Sequence, residues 1–89
     1  MSYNICQMDW KQTFVSNYSI SNTGIIRNKR GMYVKPNKSN CVYLHDNHKV
    51  YYVPIWVLVA SAFISPTSSI LEHIDGDPTN NCVSNLRYI

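Results

Sequence analysis

Residues 55–64 (Ile-Trp-Val-Leu-Val-Ala-Ser-Ala-Phe-Ile) are apolar nearly all round, with Ser61 the single polar residue. Ten residues suit a helix better than a strand. Ala60 and Ala62 favour helix, while Val57 and Val59 pull weakly the other way. Pro54 stands just ahead, where a first-turn proline loses no needed hydrogen bond. In a chain of 89 residues such a helix dictates the rest: one small domain, 1–89, must supply short elements around it. The wider apolar stretch 53–64 is too short to span a bilayer and contains Pro54, so no membrane partner is expected.

The other residues read as short strands broken by Asn, Gly and Pro. Residues 18–21 alternate bulky and small side chains, and Asn22-Thr23-Gly24 is a turn signal, so 24–28 continues as the second strand of a small hairpin. Residues 32–35, 41–44 and 49–53 read as further strands, the last two forming a hairpin that turns at Asp46-Asn47. After the apolar run, 65–69 is a loop and 70–74 a short strand holding Glu72 and His73. Asp75-Gly76-Asp77-Pro78 is a tight turn in which Gly76 can take positive φ, and 85–89 ends in strand-like residues. The expected fold class is α+β, with small antiparallel strands and hairpins and one apolar helix.

Net charge is +3, too small to prove nucleic-acid binding, but it is unevenly placed. Six of the eight basic residues (Arg27, Lys29, Arg30, Lys35, Lys38, Lys49) fall in the middle, opposed there only by Asp46. Three of the five acids, Glu72, Asp75 and Asp77, gather around His73. The middle can neutralise phosphates and the acidic group can hold a divalent cation; a solvated strand surface followed by a polar turn explains the same charges more simply. Cys6, Cys41 and Cys82 are scattered, with no CxxC pair, which gives neither a disulfide framework nor a zinc ribbon. The odd count, and a first segment without the basic and apolar runs of a secretory signal, predict a cytoplasmic protein. Ten Asn, ten Ser and seven Tyr fit an AT-rich genome such as many phages carry.

Two segments together resemble a known family. Trp10 followed by Tyr18-Ser19-Ile20-Ser21-Asn22-Thr23-Gly24-Ile25-Ile26-Arg27-Asn28 is similar to the NUMOD4 module, which accompanies phage and intron-borne HNH homing endonucleases. That module reads Trp, then Tyr-x-Val-Ser-Asn-x-Gly-x-Val-Arg-Ser. Residues 58–64 (Leu-Val-Ala-Ser-Ala-Phe-Ile), then His73-Ile74-Asp75-Gly76, then Asn80-Asn81 and Asn85-Leu86, resemble the HNH domain of the same enzymes in order and spacing. The resemblance divides the chain into a NUMOD4-like part, 10–53, and an HNH-like part, 54–89.

HNH sites resemble a one-metal solution to phosphodiester hydrolysis: a histidine takes the proton from water while one divalent cation binds the phosphate and the leaving oxygen. The resemblance places the base at His73, a metal ligand at Glu72 where the family has Asp or Asn, and the histidine-orienting asparagine at Asn85. It implies Mg²⁺ or Mn²⁺ as cofactor. It also implies double-stranded DNA as partner, met by Arg27, Lys29, Arg30, Lys35 and Lys38. The family pattern continues into a helix that supplies a second metal ligand, whereas this sequence stops at Ile89. The expectation is an incomplete ββα-metal hairpin at the C-terminus, and a protein that binds nucleic acid with lost or weak cleavage.

One departure carries its own expectation. The family shows His-Arg ahead of Leu-Val-Ala, and here Trp56 and Val57 stand there. An apolar-all-round helix is hard to bury in so small a domain, so the Trp56–Val57 face is expected to join a homodimer, to grip a host protein, or to cover the gap left by the missing helix. The host-protein reading makes the chain a virus-encoded inhibitor of a host nuclease or defence complex, built on a decayed HNH fold.

Overall fold

A computed structural model describes residues 8–66 and 70–89. Four strands, β1 (Trp10–Gln12), β2 (Tyr18–Ser21), β3 (Ile26–Asn28) and β4 (Tyr33–Val34), form an antiparallel sheet in chain order. β5 (Cys41–Asp46) and β6 (Lys49–Pro54) form a hairpin, and α1 (Ile55–Phe63) follows β6 without a break. β7 (Leu71–His73) pairs antiparallel with β8 (Leu86–Tyr88), which is entered through a 3₁₀ turn at Val83–Asn85. The α+β class is as expected. The two-residue connection of the β5–β6 hairpin falls at Asn47-His48, one residue later than the sequence signal. Cys6 and part of the predicted loop 65–69 lie outside the described residues.

Strand periodicity sorts the first sheet into two faces. Ile20, Ile26 and Val34 share one cross-strand row with Lys11, and they pack inward. Gln12, Ser19, Arg27 and Tyr33 share the adjacent row, which points the other way. At the inner edge the Lys11 ammonium lies 5.1 Å from the ring centre of Phe63 on α1.

α1 is the hub of the core. It touches β1 and β2 on one side, β6 at its start, and the 3₁₀ turn and β8 on another. Leu58, Val59 and Ala60 are completely buried, and of the nine helical residues only Val57 and Ser61 are exposed. One face of the helix is therefore buried inside one small chain, because three separate β units pack around it where one sheet could not. Each large buried side chain in this stripe contributes roughly 1.5–3 kcal/mol. Pro54 ends β6 and caps the helix with extended backbone, so the proline sits one residue before the first turn. The first helical amide, Ile55 N–H, donates to the Asn40 carbonyl at 3.0 Å. Asn40 holds φ at +61°, a conformation asparagine tolerates better than most residues. Among the described residues no helix is long and apolar enough to cross a membrane.

A turn from the first sheet joins the two halves. Asn22 accepts the Val83 amide on its carbonyl at 2.8 Å, and Ser21 Oγ accepts the Ile25 and Thr23 amides. Gly24 takes φ +92°, and a Cβ there would stand 2.9 Å from the Cβ of Asn81. Ser21, Asn22 and Gly24 thus form a joint between the β1–β4 sheet and the segment leading into β8.

Candidate nucleic-acid interface and histidine site

The outer row of the first sheet opens into a groove of about 430 Å³ whose walls include Gln12, Asn17, Ser19, Arg27, Lys29 and Arg30. No carboxylate lines it. Small residues on β2 shape it: Ser19 pairs with Arg27 and Ser21 with Trp10, so the side chains of β1 and β3 meet across β2. The Arg27 guanidinium lies 3.9 Å from the centre of the Trp10 ring. The turn after β3 is held by Asn28, whose Oδ1 accepts the Arg30 and Met32 amides at 2.9 and 3.0 Å. Lys35 and Lys38 stay exposed on the β4–β5 connection and line none of this groove. The five basic residues expected to act together are therefore divided between a shaped groove and an open loop.

His73 ends β7, half-buried. Its ring packs on Trp56 of α1, centroids 4.7 Å apart and planes inclined by 35°. Its Nε2 lies 3.2 Å from Asn81 Oδ1. An amide oxygen only accepts, so Nε2 carries the proton in the neutral ring and Nδ1 keeps the lone pair. Nδ1 is then the atom able to take a proton from water.

The orienting partner is therefore Asn81 and not Asn85. Asn81 belongs to the Asn80-Asn81 pair of the HNH-like segment; it is buried, and Gly24 lets the first sheet pack against it. Asn85 does different work. Its Nδ2 donates to Asp75 Oδ1 at 2.9 Å and to the Asn80 carbonyl at 3.0 Å, while its Oδ1 accepts the Asp75 amide. Asn85 thereby pins the turn that follows His73.

Glu72 also departs from its expected role. Strand alternation puts it on the opposite face of β7 from His73. There it meets Arg87, its cross-strand partner, with Arg87 Nε 2.5 Å from Glu72 Oε2. Asp75 is occupied as well. Its oxygens accept from Asn80, from the Asp77 amide and from Asn85, and these bonds hold its carboxyl below the usual carboxylate range, outweighing the opposing effect of burial. Asp77 is lowered in the same way by the Thr79 hydroxyl and amide.

The Trp56–Val57 expectation divides too. The half-buried Trp56 ring packs on His73 and against the core within the chain. Val57 remains exposed.

No family model and no curated protein matches the sequence. Among solved structures, the fold matches the HNH homing endonuclease I-HmuI, in a structure that concerns DNA binding and cleavage by that enzyme. The TM-score is 0.81 at 27% identity, over 92% of this chain and 52% of the other. The fold is HNH-like. The chain spans about half the length of the enzyme it matches.

HNH endonucleases generally use a divalent metal, so the HNH-like hairpin was tested for donors. Magnesium and manganese favour several oxygen ligands in octahedral array. Here Glu72 faces away from His73 and is paired with Arg87, and Asp75 accepts three hydrogen bonds from Asn80, Asp77 and Asn85. Among the described residues no three of His, Cys, Asp and Glu gather where an ion could sit. As placed, these side chains do not fit the cation.

Proposed function

We propose that this chain is a phage or mobile-element protein of the HNH-endonuclease type that binds double-stranded DNA in the cytoplasm, with weak or lost phosphodiester cleavage. The observation that carries the reading is the likeness to I-HmuI across 92% of the chain at 27% identity. The β1–β4 sheet corresponds to the NUMOD4-like segment of the sequence, and its cationic outer face supplies attraction to a phosphate backbone. His73 is the proton acceptor, through Nδ1. Asn81 fixes its tautomer and Trp56 its ring plane.

Cleavage needs more than a base: it needs charge relief on the phosphate and help for the leaving oxygen. The pairing of Glu72 with Arg87 removes the carboxylate that the sequence offers for that purpose, and this supports weak cleavage. Plasmid nicking with Mg²⁺ or Mn²⁺, run beside a mobility-shift assay on duplex DNA, tests both parts. The expected outcome is a shift without efficient nicking. Robust nicking that His73→Ala abolishes overturns the weak-cleavage part, and absence of any salt-sensitive shift overturns DNA binding.

A further inference from the structure

We infer that the groove on the outer face of the β1–β4 sheet is a subsite for one backbone phosphodiester of duplex DNA, with Arg27 held ready for it by Trp10. The inference rests on the DNA-binding reading and adds a place and a ligand chemistry to it. The groove gathers three cations, Arg27, Lys29 and Arg30, with neutral hydrogen-bonding side chains such as Gln12, Asn17 and Ser19, and no carboxylate. In that company an oxyanion is attracted and finds no like charge against it.

The geometry favours a phosphate gripped through two oxygens. Trp10 covers one face of the guanidinium at 3.9 Å, so the N–H donors, which lie in the plane of the group, stay free at its edge. A planar fork held in one orientation loses little freedom when it meets two phosphate oxygens. Ser19 and Ser21 make this possible, since a bulky residue at either place on β2 would separate Trp10 from Arg27. The second half of the subsite comes from a rigid turn. Asn28 Oδ1 fixes the amides of Arg30 and Met32, the Gly31 amide closes on the Asn28 carbonyl at 2.9 Å, and Gly31 sits at φ +83°. Lys29 and Arg30 are presented from this fixed loop, and a second hollow on its far side is lined by the same Asn17, Lys29 and Arg30.

Trp10 also reports on the site. The chain has two tryptophans, so Trp56→Phe leaves Trp10 as the sole tryptophan, excited selectively over the tyrosines at the red edge of its absorption. In the 89-residue chain carrying that change, duplex DNA is expected to alter Trp10 emission saturably. Arg27→Ala should abolish the optical change and weaken binding roughly tenfold, the scale of one charge-assisted hydrogen bond. Arg27→Ala combined with Arg30→Ala should reduce the slope of log affinity against log salt by about 1, the share of the one phosphate that the subsite holds. Arg27→Lys keeps the charge and the fold; it should keep the slope yet lose the optical change and severalfold in affinity.

Duplex binding with flat Trp10 emission, or an unchanged slope in the double variant, overturns the subsite and leaves DNA binding standing. No duplex binding by any form overturns both. Saturation by millimolar inorganic phosphate with the same optical change marks a free-anion site and overturns the backbone assignment. Equal affinity for a single-stranded oligonucleotide overturns the duplex assignment.

Discussion

The outer face of the β1–β4 sheet and the β7–β8 hairpin each gather charged side chains, and they treat them in opposite ways. On the sheet, Arg27, Lys29 and Arg30 line a groove without a carboxylate, so their donors face solvent unmatched by any acid. On this hairpin, Glu72 of β7 is engaged by Arg87, and in the turn Asp75 and Asp77 are engaged by Asn80 and Asn85 and by Thr79. The contrast shows that a cluster of ionisable residues in a sequence does not say whether its charge is available. Availability is decided by what the fold places within hydrogen-bond reach. Under the proposed function, the groove assigned to DNA is open while the carboxylates near His73 are engaged by the chain itself.

The joint between the two regions gives the largest expected effect. Gly24→Ala forces an alanine to φ +92° and places its Cβ 2.9 Å from the Cβ of Asn81. Left-handed strain and overpacking each cost about 1–3 kcal/mol, so a combined loss of about 2–4 kcal/mol is expected in urea unfolding. Because Asn81 holds Nε2 of His73, the ring's ¹⁵N tautomer signature should change in whatever fraction remains folded. Unchanged stability and an unchanged His73 spectrum would show that the halves are not coupled here.

Asn85→Ala attacks the closed turn directly. Asn85 is buried and makes three hydrogen bonds with Asp75 and Asn80, so its loss should destabilise the chain by about 1–3 kcal/mol. The effect on duplex affinity at a temperature where the variant is folded should be small. A large loss of DNA binding would mean that the turn, and not the sheet, makes the decisive contact.

Acid should open the same turn. The carboxyls of Asp75 and Asp77 lie below their ordinary value because hydrogen bonds favour the charged form. Groups with a depressed folded pKa stabilise the folded state above the unfolded carboxylate range, near pH 4, and that contribution disappears as pH falls through the lower folded values. Amide exchange at Asp77 and Thr79, whose N–H groups bond these carboxylates, should therefore lose protection below about pH 4, and Asp75→Asn should flatten the dependence. Protection that persists to strongly acid pH would show that the backbone alone holds the turn.

Much of this arrangement is legible in the sequence, for reasons that differ between residues. The apolar run 55–64 announces α1 because nothing but burial suits it, and Asn22-Thr23-Gly24 and Asp75-Gly76 announce turns by their own backbone preferences. β1 was not legible, since Trp10-Lys11-Gln12 is too short to show alternation and becomes a strand through pairing with β2. The partner of His73 is hidden because Asn81 and Asn85 are chemically alike and lie only four positions apart. Only packing against Gly24 selects Asn81. Trp56 is a related case: apolarity shows that a face will be covered but not by what, and its contact with the His73 ring depends on packing.

The smallest expected effect separates two explanations for the closed carboxylates. Arg87→Ala removes a pair whose side chains are 58% and 32% exposed, so solvent screening leaves it worth no more than about 0.5 kcal/mol of stability. The change nevertheless frees Glu72. If strand alternation is what disables Glu72 as a ligand, freeing it changes little, because one carboxylate on the face away from His73 still makes a poor site for an ion that wants several oxygens. Mn²⁺ titration followed by electron paramagnetic resonance should then find no affinity tighter than millimolar in either form. If Arg87→Ala instead gains sub-millimolar Mn²⁺ affinity, together with nicking that depends on His73, then a single arginine and not the geometry of β7 holds the HNH-like hairpin inactive. The two regions would then differ by one reversible ion pair.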